Sequence, residues 1–143
     1  MQISRKSDYA LRAMMHVATY GTRIPVSINE IAGRQKLPRD FTAKILKELT
    51  HAGLLRSTKG VNGGYMLAKD STTITFLDII QAVDGPVYLN RCVHPTVPCE
   101  CENMPDCPMH NYWVKEQVRV VDSLSGMNLS DVAVDPSKRA EGK

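Results

Sequence analysis

The chain has 143 residues, 43% of them hydrophobic, enough for one folded domain with a small appendage and too apolar for a disordered chain. It has no run of about 18 apolar residues and no apolar signal-peptide core after Met1-Gln2-Ile3-Ser4-Arg5-Lys6, so no membrane partner is expected and the protein reads as cytoplasmic. The formal net charge of +3 is uneven: residues 1–69 carry 12 Lys/Arg and 4 Asp/Glu, a net of +8, whereas residues 70–143 carry 6 and 11, a net of −5, so the first half suits a polyanion.

Asp8 to Ala18 reads as an amphipathic helix, with Leu11, Met14, Met15 and Ala18 at i, i+3, i+4 and i+7 and Gly21 as its stop. Ser27-Ile28-Asn29-Glu30 has the form of a capping box, in which the serine accepts from an early amide and the glutamate reaches back. The short helix that follows buries Ile28, Ile31 and Ala32 and ends near Gln35. A second helix opens at Leu37-Pro38, where proline suits a first turn because that amide has no intrahelical partner. Phe41, Ile45, Leu46 and Leu49 are its apolar stripe, and Gly53 stops it. Leu54–Thr58 and Tyr65–Leu67 read as strands joined by the turn Lys59-Gly60-Val61-Asn62-Gly63-Gly64. Thr75 caps another helix, with Phe76, Ile79, Ile80 and Val83 on one side and Asp84-Gly85-Pro86 as its end. Residues 86–108 hold all four cysteines and five of the eight prolines, with little periodicity. A last long helix runs from about Met109 to Leu124 and carries Trp113, Val114, Val118, Val121 and Leu124. The tail, 135–143, is expected to be disordered.

Helix, short helix, tight connection, second helix and glycine-tipped hairpin is the order of a winged helix-turn-helix, so a mainly α fold with a small β-hairpin wing is expected. In that arrangement the Pro38–Ala52 helix enters the major groove of double-stranded DNA. Arg39, Asp40, Ala43 and Lys44 lie off its apolar stripe and can reach base edges or phosphates. At the hairpin tip, Lys59, Gly60, Asn62, Gly63 and Gly64 suit close approach to a phosphate or the minor groove, because glycine lets backbones come near. The blander account is a solvated helix face and an ordinary hairpin. The basic first half, the element order and the glycine-rich tip together favour DNA.

The cysteines follow the spacing Cys92-x6-Cys99-x-Cys101-x5-Cys107-x2-His110. Such a cluster in a cytosolic chain points away from structural disulfides and towards soft-metal ligation. Zinc needs four tetrahedral ligands, for which Cys99, Cys101, Cys107 and His110 are available. An iron–sulfur cluster is wider and tolerates a longer loop, such as Cys92 to Cys101 to Cys107. Thiols without a metal are the third possibility. His94 reads as a loop residue. The histidines and carboxylates show no nucleophile–base spacing, so an enzyme is not expected.

Ser7-Asp8-Tyr9-Ala10-Leu11-Arg12-Ala13-Met14, Ser27-Ile28-Asn29-Glu30-Ile31-Ala32, the Leu46–Leu55 stretch, the wing Lys59–Leu67 and Phe76–Gly85 together resemble the Rrf-type winged-helix transcription regulators. The likeness covers about residues 1–134. It implies a winged helix-turn-helix over 1–85, a cysteine-rich cluster-binding loop over 86–108, and a dimerisation helix with a packing tail over 109–134. It also implies a homodimeric repressor on a roughly palindromic operator, sensing iron, redox state or nitric oxide. Cluster-binding members share a C-x5-C-x5-C pattern, sometimes followed by x2-H. Cys101-x5-Cys107-x2-His110 matches its second part, whereas eight residues separate Cys92 from Cys101, a three-residue insertion. The resemblance thus points to Cys92, Cys101, Cys107 and His110, with Cys99 as an alternative middle ligand. Three cysteines and one histidine go with a [2Fe-2S] cluster. The competing ligand is Asp8, at the position where nitric-oxide-sensing members use a partner's aspartate to complete a [4Fe-4S] cluster. The rival reading is a zinc-stabilised winged-helix interaction module that senses no cluster.

Overall fold

The computed structural model describes residues 2–101 and 106–135. The expected disorder of the tail concerns residues 136–143, which lie outside the described residues. The elements in chain order are α1 (Arg5–Tyr20), α2 (Ile28–Gln35), α3 (Arg39–His51), β1 (Leu55–Thr58), β2 (Gly64–Leu67), α4 (Phe76–Asp84), α5 (Pro108–Gly126) and α6 (Leu129–Val132).

The core is built around α1, which touches α2, α3, α4, α6 and β2. Its innermost residues are Ala10, Ala13, Met14 and Val17, all 0% exposed. Leu11 and Met15, expected at the centre of the stripe, are half-buried. Met14 and Ala18 of the expected stripe are buried, and Ala10, Ala13 and Val17 complete the inner face.

The connection between α2 and α3 is three residues long. Lys36 adopts a left-handed conformation, φ 54° and ψ 50°, and the Leu37 amide donates back to Ala32 O at 2.8 Å. Pro38 stands just before α3 as its N-cap rather than inside its first turn. Its carbonyl accepts both the Thr42 amide, at 2.9 Å, and the Thr42 hydroxyl, at 2.8 Å, so this fully buried threonine is satisfied. Of the box at Ser27, only the serine half forms: its Oγ accepts from the Glu30 amide at 3.2 Å. The Glu30 carboxylate turns instead to buried His16, 3.2 Å away on α1. A complete capping box forms at α4, between Thr75 and Asp78.

β1 and β2 pair antiparallel, with Leu55 opposite Leu67 and Ser57 opposite Tyr65. Val26, just before α2, bridges to Tyr65 and fastens the hairpin to the helical domain. After α5 the chain returns: the Phe76 amide donates to Met127 O at 2.8 Å and the Leu129 amide to Ile74 O at 3.0 Å. Leu129, on α6, is 0% exposed.

Candidate nucleic-acid interface and cysteine loop

α3 has two chemically opposite faces. Thr42, Ile45, Leu46 and Leu49 are fully buried, while Arg39, Asp40, Lys44, Lys47 and His51 are exposed and Ala43 is half-buried. Asp40, Lys44, Lys47 and His51 fall at the spacing of one helical stripe. Arg39 is tied down: its Nε donates to Asn29 Oδ1 in the first turn of α2 at 2.7 Å, so it links the two helices of the motif. The Asp40 side chain is 99% exposed. A carboxylate there repels phosphate and can accept from a cytosine amino group.

The wing glycines divide into two kinds. Gly60 has φ +112° with open space around it, so its turn geometry requires glycine. Gly63 and Gly64 face inward: a Cβ on Gly63 would lie 2.2 Å from Thr58 O, and one on Gly64 2.4 Å from Val26 O. Lys59, Gly60, Val61 and Asn62 are exposed. Val61 is wholly exposed at the tip, a feature passed over in the sequence although an apolar residue inside a polar turn is a visible signal. Lys47 and His51 were passed over as well. They line a cleft of about 650 Å³ with Ala43, Ser57 and Tyr65, between the recognition helix and the hairpin.

The cysteine segment is fastened to the rest of the fold at its start. Gln117, midway along α5, accepts from the Leu89 amide at 2.9 Å and donates to Val87 O at 2.6 Å. Asn90 then caps a single 3-10 turn, Arg91–Val93, accepting from the Cys92 amide at 3.0 Å and from the Cys92 thiol at 2.8 Å. The His94 ring packs on Tyr88 at 4.4 Å, and its Nδ1 accepts from the Thr96 amide at 3.2 Å, which gives this histidine a local role.

Cys92, Cys99 and Cys101 line one pocket of about 290 Å³, with Asn90 and Arg91 beside them. The Cys101 thiol is held above its ordinary range, first by the neighbouring Cys99 charge and next by a hydrogen bond with Cys99; burial, Cys107 and Cys92 add to it. Cys101 therefore lies within electrostatic reach of the other three thiols. Cys107 is the N-cap of α5 and its side chain makes no capping hydrogen bond. His110 is half-buried in the first turn of the same helix. Among the described residues, no group of three or more His, Cys, Asp or Glu side chains is arranged to hold a metal ion. The donor set nonetheless fits an iron–sulfur cluster in kind: soft thiols, three of which line one pocket, in a loop short of secondary structure that binding can order.

Asp8 is exposed and lies 3.5 Å from Arg12 on its own helix. Arg12 donates to Gln35 O at the end of α2. The Ser4 and Ser7 hydroxyls both donate to Asp84 at the end of α4. The head of α1 is thus held by a carboxylate two residues before Pro86, where the cysteine segment begins.

The family model described as Rrf2, iron-dependent transcriptional regulator, matches residues 3–135. The chain belongs to the Rrf2 family. This Rrf2 chain is 30% identical over 135 residues to the HTH-type transcriptional regulator IscR of Vibrio vulnificus, a match that covers 94% of this chain and 79% of that protein. Its fold is similar to that of CymR, the global cysteine regulator of B. subtilis, with a TM-score of 0.79, 28% identity, and 93% of this chain and 96% of that one covered. It is similar also to T. potens IscR, with a TM-score of 0.73, 27% identity, and 92% and 85% covered. The Rrf2 assignment makes the chain a DNA-binding transcription regulator with a winged helix-turn-helix, in a family of regulators rather than enzymes. Among the described residues, no helix is long and apolar enough to cross a membrane.

Proposed function

We propose that this Rrf2 regulator is a homodimeric repressor whose operator affinity is set by an iron–sulfur cluster held by Cys92, Cys101, Cys107 and His110. The observation that carries this reading is that Cys92 and Cys101 line one pocket, in a loop that is pinned to α5 and follows directly on α4. When bound, the cluster supplies an iron- and redox-dependent tie between residues of the loop and the head of α5. Gln117 and Asp84 do the rest. The first holds residues 87–89 on α5, and the second holds the head of α1, which packs on α3. A rearranged loop then shifts the balance between arrangements of the two recognition helices.

The dimer rests on α5. None of its 19 residues is buried, and Met109, Tyr112, Val114 and Val118 are exposed. Trp113, Gln117, Val120, Val121 and Leu124 are half-buried, so the apolar stripe expected along this helix is split between two faces. The exposed valines suit the same helix of a second copy. Two-fold symmetry then places half-sites roughly 34 Å apart on the operator.

The spectrum of anaerobically purified protein, with iron and sulfide counts, tests the reading. Brown protein with visible absorption supports it. Colourless protein with stoichiometric zinc would remove the cluster reading.

Two expected results concern DNA. The net +8 of residues 1–69 implies several phosphate contacts per subunit. Operator affinity should fall on a log–log salt plot with a slope of about 0.9 per phosphate neutralised. A gel-shift titration independent of salt would remove the basic half as the DNA face. Helix and wing should also separate. Lys44→Ala, on the exposed stripe of α3, should cost about 1–3 kcal/mol and relax preference at one base pair. Lys59→Ala should weaken all sequences evenly. Equal loss of preference in both variants would make the wing a base reader.

A further inference from the structure

Cys99 is the thiol that the proposed ligand set leaves over. It stands outside the C-x5-C-x5-C spacing, with only Glu100 between it and Cys101. Residues two apart span at most about 7 Å. A disulfide requires roughly 4.4–6.8 Å between Cα atoms, a range open to residues so spaced, and the backbone bends at Glu100 between them. Both cysteines are exposed, and they line one pocket. The intervening Glu100 carboxylate lies 3.4 Å from the Arg91 guanidinium, which offsets its repulsion of a neighbouring thiolate.

We propose that Cys99 and Cys101 are a redox-active dithiol, which a hydroperoxide closes into an intrachain disulfide when the loop holds no cluster. The Cys99 thiolate attacks a peroxide oxygen. The O–O bond breaks, Cys99 becomes a sulfenic acid, and the leaving alkoxide or hydroxide takes up a proton. The Cys101 sulfur then attacks the Cys99 sulfur; the S–S bond forms, the S–O bond breaks, and the hydroxide leaves as water with the Cys101 proton. In sum, two thiols lose two electrons and two protons, and the hydroperoxide is reduced to an alcohol, or water, and water. An exposed disulfide closed in so small a ring is readily reduced again, as a regulatory one must be. Closing it removes Cys101 from the ligand set, so oxidation opposes loading of the loop. That last consequence rests on the cluster reading above, whereas the disulfide itself does not.

The test uses the full chain, metal-free and anaerobic, with one equivalent of hydrogen peroxide, followed by alkylation and peptide mapping. The expected result is loss of two alkylatable thiols and of two hydrogens in mass, both mapped to Cys99 and Cys101 and reversed by a dithiol reductant. Cys92 and Cys107 should stay alkylatable. Protection that maps to Cys92 or Cys107, or a Cys99 carried to sulfinic acid while Cys101 stays free, would overturn the proposal. Cys99→Ser should lose the protection yet, when reconstituted with iron and sulfide, keep the visible spectrum of the parent. If Cys99→Ser abolished that spectrum, Cys99 would be a ligand and the proposal would fall. A chain that takes up no iron and sulfide but still closes the mapped disulfide would remove the cluster reading and leave the dithiol standing.

Discussion

Leu46→Ala is expected to cost about 2–5 kcal/mol of folding stability, because it deletes a fully buried side chain and leaves a cavity. Leu46 is 0% exposed on the inner face of α3, between Ile45 and Leu49, which are equally buried. Lys44→Ala, two positions away on the exposed face, should stay within about 0.5 kcal/mol. Urea unfolding at fixed protomer concentration measures both, since a dimer's stability depends on concentration. The two variants thus exchange roles between assays: Leu46→Ala damages the fold, and Lys44→Ala damages only DNA binding. A loss below about 1 kcal/mol for Leu46→Ala would mean that α3 does not pack as described.

His110→Ala, purified without oxygen, is expected to lose most of the visible absorption and lifetime of the cluster, while Asp8→Ala keeps both. The reason lies in where each side chain stands. His110 is half-buried one helical turn beyond Cys107, on the helix that Cys107 opens. Asp8 is exposed and 3.5 Å from Arg12, which itself reaches the end of α2. A cluster needs four ligands, and three cysteines leave one position. If Asp8→Ala lost the spectrum and His110→Ala kept it, the fourth ligand would come from a head of α1. The cluster would then bridge the two subunits, and coupling to DNA would run through α1 directly.

The recognition helix and wing were legible because their signals are local. Thr75 at a helix start, Gly53 after a helix end and the glycines of the hairpin each act through the few residues around them. The cysteines were legible for a different reason: few chemistries place four thiols in so short a segment. That Cys92, Cys99 and Cys101 line one pocket was hidden, since residues 86–108 have little periodicity from which to infer direction. Arg39 was legible as a basic residue off the apolar stripe, whereas its bond to Asn29 depends on how α2 and α3 meet.

The sequence by itself determined the order of the elements up to α5, the two faces of α3 and the winged fold. Each of these follows from hydrophobic period, capping residues or side-chain type, all read within a turn or two of the chain. Only the tertiary structure decided the rest. It centred α1 on Ala10 and Ala13, turned Gly63 and Gly64 inward against Thr58 and Val26, and divided the apolar residues of α5 between its own domain and solvent. It also formed α6, which begins where the Leu129 amide meets Ile74 O and buries Leu129 against the core. These features depend on backbone and side chains brought together from distant parts of the chain, and four residues such as Leu129–Val132 hold a helix only when such packing stabilises it.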